Sequence, residues 1–137
     1  DGGNLVVQYN TSREVLTNEV APFELELSRD RVTDENSEVK FLDKNHPVLN
    51  EPNKITEKDF EGWVQERGLY FPSKWSKEFT PILSMHDKGE SAMKSSLLVA
   101  KYGKGYYVYT GLSFFRELPA GVPGAYRLLA NILSLGK

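Results

Sequence analysis

The strongest apolar patterns lie in the last third of the chain. Ser96-Leu97-Leu98-Val99-Ala100-Lys101-Tyr102 and Tyr106-Tyr107-Val108-Tyr109-Thr110 read as strands, and Gly103-Lys104-Gly105 between them predicts a hairpin. Pro81 to Met85 predicts another strand, ending at His86-Asp87. Leu5-Val6-Val7, behind two glycines, predicts a buried interior strand over Leu5–Gln8. Ala125–Leu135 repeats apolar residues at helical spacing through Leu128, Leu129, Ile132, Leu133 and Leu135. Pro123 and Gly124 precede that helix and Gly136 ends it.

The middle of the chain is less regular. Phe23, Leu25 and Leu27 alternate with Glu24, Glu26 and Ser28, which predicts a half-exposed strand. Arg29 to Glu38 is charged and reads as a surface loop, and Val39 to Leu42 as a short strand. Asp43 to Asn53 carries two prolines and three asparagines and predicts loop. His46 precedes Pro47, which forces it into an extended conformation and favours a structural role. Thr56-Glu57-Lys58-Asp59 resembles a capping box and predicts a helix from about Glu57 to Val64, interrupted by Gly62 and stopped by Gly68. Trp63, Leu69, Tyr70, Phe71 and Trp75 follow closely. Aromatic faces suit sugars, but their large burial makes core packing the default, with Trp75 the candidate for exposure.

These elements sum to an α/β fold with a mixed sheet, antiparallel hairpins and few helices. The first strand and last helix read as parts of a doubly wound layer. The Asp1-Gly2-Gly3 start runs straight into an apolar strand. It reads as the interior of a longer polypeptide, with further βα units expected before Asp1.

Composition narrows the chemistry. The 137 residues suit one domain and bury enough surface to need no covalent staple. There is no cysteine, so thiolate nucleophiles, disulfides and Cys-ligated metals are excluded. Seventeen basic and 19 acidic residues are interspersed, giving a net charge of −2. No basic block suits nucleic acid, and no apolar run approaches the roughly 20 residues that span a bilayer.

Two loops follow strands where open α/β sheets place ligands. Asn10, Thr11 and Ser12 stand at the mouth of the first strand, where a polar turn or helix N-cap is the simpler reading. Phe114-Phe115-Arg116-Glu117 stands after the last strand. Either Arg116 binds an anion or sugar hydroxyl there with Glu117 as acceptor, or the two form an ion pair over packed phenylalanines. His86-Asp87 at a strand end could serve as a general base or metal site, although neighbours on a strand point to opposite faces.

Three blocks carry a family likeness: "GGNLVVQYN", "KITEKDFEGWVQERGLYFPSKW" and "SLLVAKYGKGYYVYTGLSFFRELPAGVPGAYRLLANIL". Together they resemble the C-terminal region of bacterial LmbE-like (PIG-L family) deacetylase polypeptides. That region is itself similar to class I glutamine amidotransferases and their ThuA-like relatives, which implies a flavodoxin-like fold. The resemblance implies an upstream zinc-dependent, N-acetylglucosamine-type deacetylase domain as partner, in an exported or periplasmic protein. Its zinc motif, His-Pro-Asp-Asp, does not occur here, since His46-Pro47 is followed by Val48. Zinc is therefore expected only upstream, with no cofactor in this chain. Class I amidotransferases carry Phe-His-Pro-Glu after their last catalytic strand. Phe114-Phe115-Arg116-Glu117 stands in that place, so Glu117 matches the family glutamate and Phe115 replaces the histidine. With the nucleophile and its base both missing, the resemblance implies a non-catalytic accessory domain that binds carbohydrate or mediates interaction. Its candidate ligand residues are Asn10, Thr11, Arg116, Glu117 and Trp75. The alternative is a stand-alone hydrolase using His86, Asp87 or Glu117.

Overall fold

The computed structural model describes residues 2–10 and 21–137. It is a mixed α/β fold. Its main sheet contains β1 (Asn4–Gln8), β5 (Thr80–Pro81), β7 (Leu97–Tyr102) and β8 (Gly105–Thr110), in the order β1-β8-β7-β5. β1 runs parallel to β8, with Asn4 opposite Tyr106 and Gln8 opposite Thr110. The β7–β8 and β5–β7 pairs are antiparallel. A two-residue loop joins β7 to β8, and Gly103 takes φ +59° at its first central position, where the hairpin turn favours glycine.

The apolar runs of β7 and β8 exist because the sheet is covered on both sides. Leu97, Val99 and Val108 join one core cluster, while Leu98, Ala100, Tyr107 and Tyr109 join the other. The first cluster includes Ala125, Leu128 and Ile132 of α2 (Pro123–Leu133), which covers that face. The second includes Leu25, Leu27 and Phe79. Proline and glycine lie inside the first turn of α2, where the missing N–H costs nothing.

The segment before β4 (Gly68–Trp75) is fastened to α2 by polar contacts. Asn131 is buried; its amide donates to the carbonyls of Val48 and Asn53 and accepts from the Asn53 N–H. Asp59 accepts from the Thr56 N–H and pairs with Arg127 at 2.8 Å. A one-turn 3-10 helix, Glu57–Phe60, stands where the longer helix was expected. Gly62 then takes φ +77°, which stops helical propagation. His46 is extended and caps a second 3-10 turn, Pro47–Leu49, through Nδ1 and the Val48 N–H.

Four further expectations are corrected. Among the described residues β1 is an edge strand of the main sheet, not an interior one, and Leu5 is 58% exposed. Only Val6 and Val7 pack, each against a different core cluster. The charged stretch after Ser28 is not all loop, since β2 (Leu25–Val32) continues through Arg29, Asp30 and Arg31. It does so by pairing with β4 (Gly68–Trp75) through bulges that hold its charges in solvent. The Pro81–Met85 run is split. Pro81 lacks an N–H and ends β5, and Ile82 donates to Leu97 but accepts from Leu42. The chain thereby passes from the main sheet to a small pair, β3 (Lys40–Phe41) with β6 (Leu83–Ser84). Finally, Phe114–Glu117 is a helical turn, α1, where loop was expected.

The β2–β4 ribbon wraps the carboxyl edge of the main sheet. Leu25 and Leu27 lie in one core cluster and Val32 and Phe71 in the other. The crossing point is tight: Leu69 N–H donates to the Gly111 carbonyl, and a Cβ on Gly111 would lie 2.5 Å from the Leu69 oxygen. Gly111→Ala is therefore expected to cost about 1–3 kcal/mol by overpacking. Gly3→Ala, where nothing lies within 4 Å, should stay within about 0.5 kcal/mol of wild type. Urea midpoints of the two variants check this, and equal stabilities would refute the tight crossing.

Candidate functional site at the carboxyl edge

Because β1 and β8 are parallel, the segments that follow them open on one edge of the sheet. Tyr9 continues β1, and its N–H donates to the Thr110 carbonyl. Its ring packs edge-on against Phe115 at 4.5 Å and Tyr70 at 5.1 Å. Its hydroxyl donates to Glu66 Oε1 at 2.6 Å. Burial, and after it Glu66, push the Tyr9 hydroxyl well above the ordinary tyrosine value. Arg116 Nε reaches the same Glu66 oxygen at 3.3 Å, and a terminal Arg116 nitrogen donates to Gln65 Oε1 at 2.6 Å. The Arg116 guanidinium also lies over the Phe115 ring at 4.8 Å.

Backbone strain concentrates at this place. Among the described residues, the non-glycine positions with positive φ are Tyr9 (51°), Gln65 (67°) and Tyr70 (62°). All three belong to the group around Glu66 and Arg116. Each such conformation costs about 1–3 kcal/mol and persists only where its surroundings over-determine it.

Beneath this surface Glu117 is fully buried. One carboxyl oxygen accepts from the Val64 N–H at 2.5 Å, and the other lies 2.8 Å from Ser113 Oγ. Burial pushes the Glu117 carboxyl above its ordinary value, opposed by those two hydrogen bonds and by the Arg67 charge. Arg67 is also buried, donating to the carbonyls of Phe60 and Ser37 and lying over the Phe60 and Trp63 rings. Burial lowers its pKa to about 10.

The expected ion pair between Arg116 and Glu117 does not form. On a helical turn, adjacent residues diverge: Arg116 turns outward to Glu66 and Gln65 while Glu117 turns inward. The same divergence separates the phenylalanines. Phe114 is buried, but Phe115 is 49% exposed rather than packed beneath the loop. Asn10 lies at the edge, with its carbonyl 3.5 Å from the Tyr109 hydroxyl, whereas Thr11 and Ser12 fall outside the described residues. Trp75 is not part of the group. It stands five residues along β4 from Tyr70, about 16 Å by strand rise, half-buried against the second core cluster.

The other charged candidates have separate duties. The Asp87 carboxylate accepts from the N–H groups of Thr33 and Asp34 and from the Thr33 hydroxyl, closing that loop. His86 is exposed, with Nδ1 2.8 Å from the Asp87 carbonyl. Neither shares a hydrogen-bond partner with Glu117. Among the described residues, no three His, Asp or Glu side chains gather as a metal-binding group, and no helix is long and apolar enough to cross a membrane.

Sequence reasoning missed Gln65 and Glu66, whose short polar run before Gly68 resembles any surface loop. Comparison with family models, curated proteins and solved structures finds no match to the chain.

The raised Glu117 value has a pH consequence. Folding favours the protonated acid, so its contribution is complete below the ordinary value of 4.5 and is lost as pH rises through the folded value. Glu117→Gln keeps the Val64 acceptor and removes the titration. The variant should gain stability relative to wild type as pH rises from 4.5 upward. Chemical denaturation across pH 4 to 8 reads the difference, and a constant gap would refute it.

Proposed function

We propose that this chain is a non-catalytic accessory domain of an LmbE-like, PIG-L-family deacetylase polypeptide, with a flavodoxin-like, amidotransferase-like fold. In this reading its partner is the upstream catalytic domain, which alone holds zinc, and its carboxyl edge takes carbohydrate. The observation that carries the reading is the fate of Glu117. In this reading it stands for the family's glutamate, and it is sealed from solvent and engaged by Val64 and Ser113. Phe115, in the place of a catalytic histidine, packs instead on Tyr9. The loop has no cysteine or histidine, and its one hydroxyl–carboxylate pair, Ser113 with Glu117, is buried away from solvent.

What supports a ligand at the edge is the exposed Phe115 ring beside Tyr9, framed by Arg116, Glu66 and Gln65. An aromatic face bordered by hydrogen-bonding groups suits the apolar face and hydroxyls of a sugar. The strained backbone around it is consistent with a surface shaped for binding.

N-acetylglucosamine oligosaccharides titrated into the protein should give saturable chemical-shift changes at Tyr9 and Phe115. Arg116→Ala should weaken that binding by about 1–3 kcal/mol, the usual cost of a lost charged hydrogen bond. A blank titration, with Arg116→Ala only lowering the melting temperature, would reduce the cluster to a structural device. Ammonia release from glutamine, abolished by Glu117→Ala, would overturn the non-catalytic reading. An upstream reading frame without a His-Pro-Asp-Asp motif would remove the deacetylase partner.

A further inference from the structure

We propose that the cleft between β2 and β4, lined by Arg29, Arg31, Leu69 and Tyr70, binds the oxyanion of a small ligand, a carboxylate, phosphate or sulfate. Its volume is about 440 Å³, in the range of small-molecule sites. It is separate from the Arg116 surface, with Tyr70 as the residue common to both.

The cleft is made by irregular pairing on both strands. Leu27 opposes Pro72 and Asp30 opposes Phe71, so Ser28 and Arg29 have no opposite residue on β4. Arg31 then opposes Leu69, so Tyr70 has no opposite residue on β2. Of the unpaired residues, Arg29 of β2 and Tyr70 of β4 line one cleft. Bulges re-aim side chains out of the regular alternation, and they cluster beside binding sites. Both distortions are held in place. Ser28 Oγ donates to the Phe71 carbonyl and accepts from the Asp30 N–H. Tyr70 takes φ 62°, and its carbonyl accepts from the Tyr109 hydroxyl at 2.8 Å.

The arginines of the cleft have no contact partner among the described residues: neither Arg29 nor Arg31 makes a contact ion pair or side-chain hydrogen bond. Asp30, between them in sequence, lines a different cleft with Trp75 and Lys94. Asp87 attracts Arg31, but its carboxylate is occupied by Thr33 and Asp34. The Tyr70 hydroxyl has no hydrogen-bond partner among the described residues. Two arginines and a tyrosine thus line one open polar cleft. Guanidinium forks match the paired oxygens of an oxyanion, and the phenol adds one donor.

The test is titration of the isotope-labelled chain at constant ionic strength with glucuronate, glucose 6-phosphate, inorganic sulfate and uncharged glucose. Saturable shifts at Arg29, Arg31 and Tyr70 are expected with at least one oxyanion and not with glucose. The glucuronate and phosphate arms distinguish the ligand's source of charge. Arg29→Gln and Arg31→Gln should each weaken binding about ten-fold. Lys104→Gln removes the same charge at the hairpin turn and should leave affinity unchanged. Both arginines are exposed, so circular dichroism should show the variants folded. Shifts that follow ionic strength alone, equal losses with Lys104→Gln, or glucose binding as well as the anions would each overturn the site. A failed anion titration leaves the Arg116 surface untouched, because that reading is scored at Tyr9 and Phe115 with neutral oligosaccharides.

Discussion

A single buried carboxyl group organises the carboxyl edge of this fold. Glu117 closes the turn after β8 and reaches across to the Val64 N–H, tying α1 to the segment that leads into β4. Ser113 reinforces the join, since its hydroxyl lies within hydrogen-bond distance of Glu117 and of the Glu66 and Arg67 carbonyls. Removing a buried group of this kind strands its partners, and each stranded group costs about 1–3 kcal/mol. With Glu117 in place, residues 64–67 are fixed beside β8. Gln65 and Glu66 can then hold Arg116, and Arg67 can pass its guanidinium inward to Phe60 and Ser37.

Where burial wrote a continuous pattern, the sequence was readable. β7 is continuously apolar from Leu97 to Ala100, and β8 from Tyr106 to Tyr109, because core lies on both faces, and glycines mark their hairpin. The last helix was legible from its stripe, with proline and glycine falling inside its first turn rather than before it. The parallel mouth of β1 and β8 followed from placing both strands in one layer.

The rest was hidden for physical reasons. Arg29, Asp30 and Arg31 look like loop because a bulged ribbon keeps charges in solvent while still pairing its backbone. Tyr9 and Tyr70 give no warning of their left-handed backbone, which tyrosine rarely adopts and tertiary contacts impose. Glu117 reads as a ligand acceptor or the partner of Arg116 because only the fold brings Val64 and Ser113 to it. Arg116 and Glu117 suggest a pair by adjacency, and one helical turn is enough to send them in opposite directions.

The parallel pairing of β1 with β8 also dictates an order of assembly. Asn4 meets Tyr106, so this contact closes a loop of about a hundred residues, whereas β7 and β8 meet across two. Closing long loops is entropically dear and slow, and local hairpins form first. During synthesis β1 emerges from the ribosome long before its neighbour exists. Val6 and Val7 find their core neighbours on β8 only once the hairpin is made. β1 is then added only after the hairpin, and the carboxyl-edge surface that Tyr9 completes comes into being with that addition.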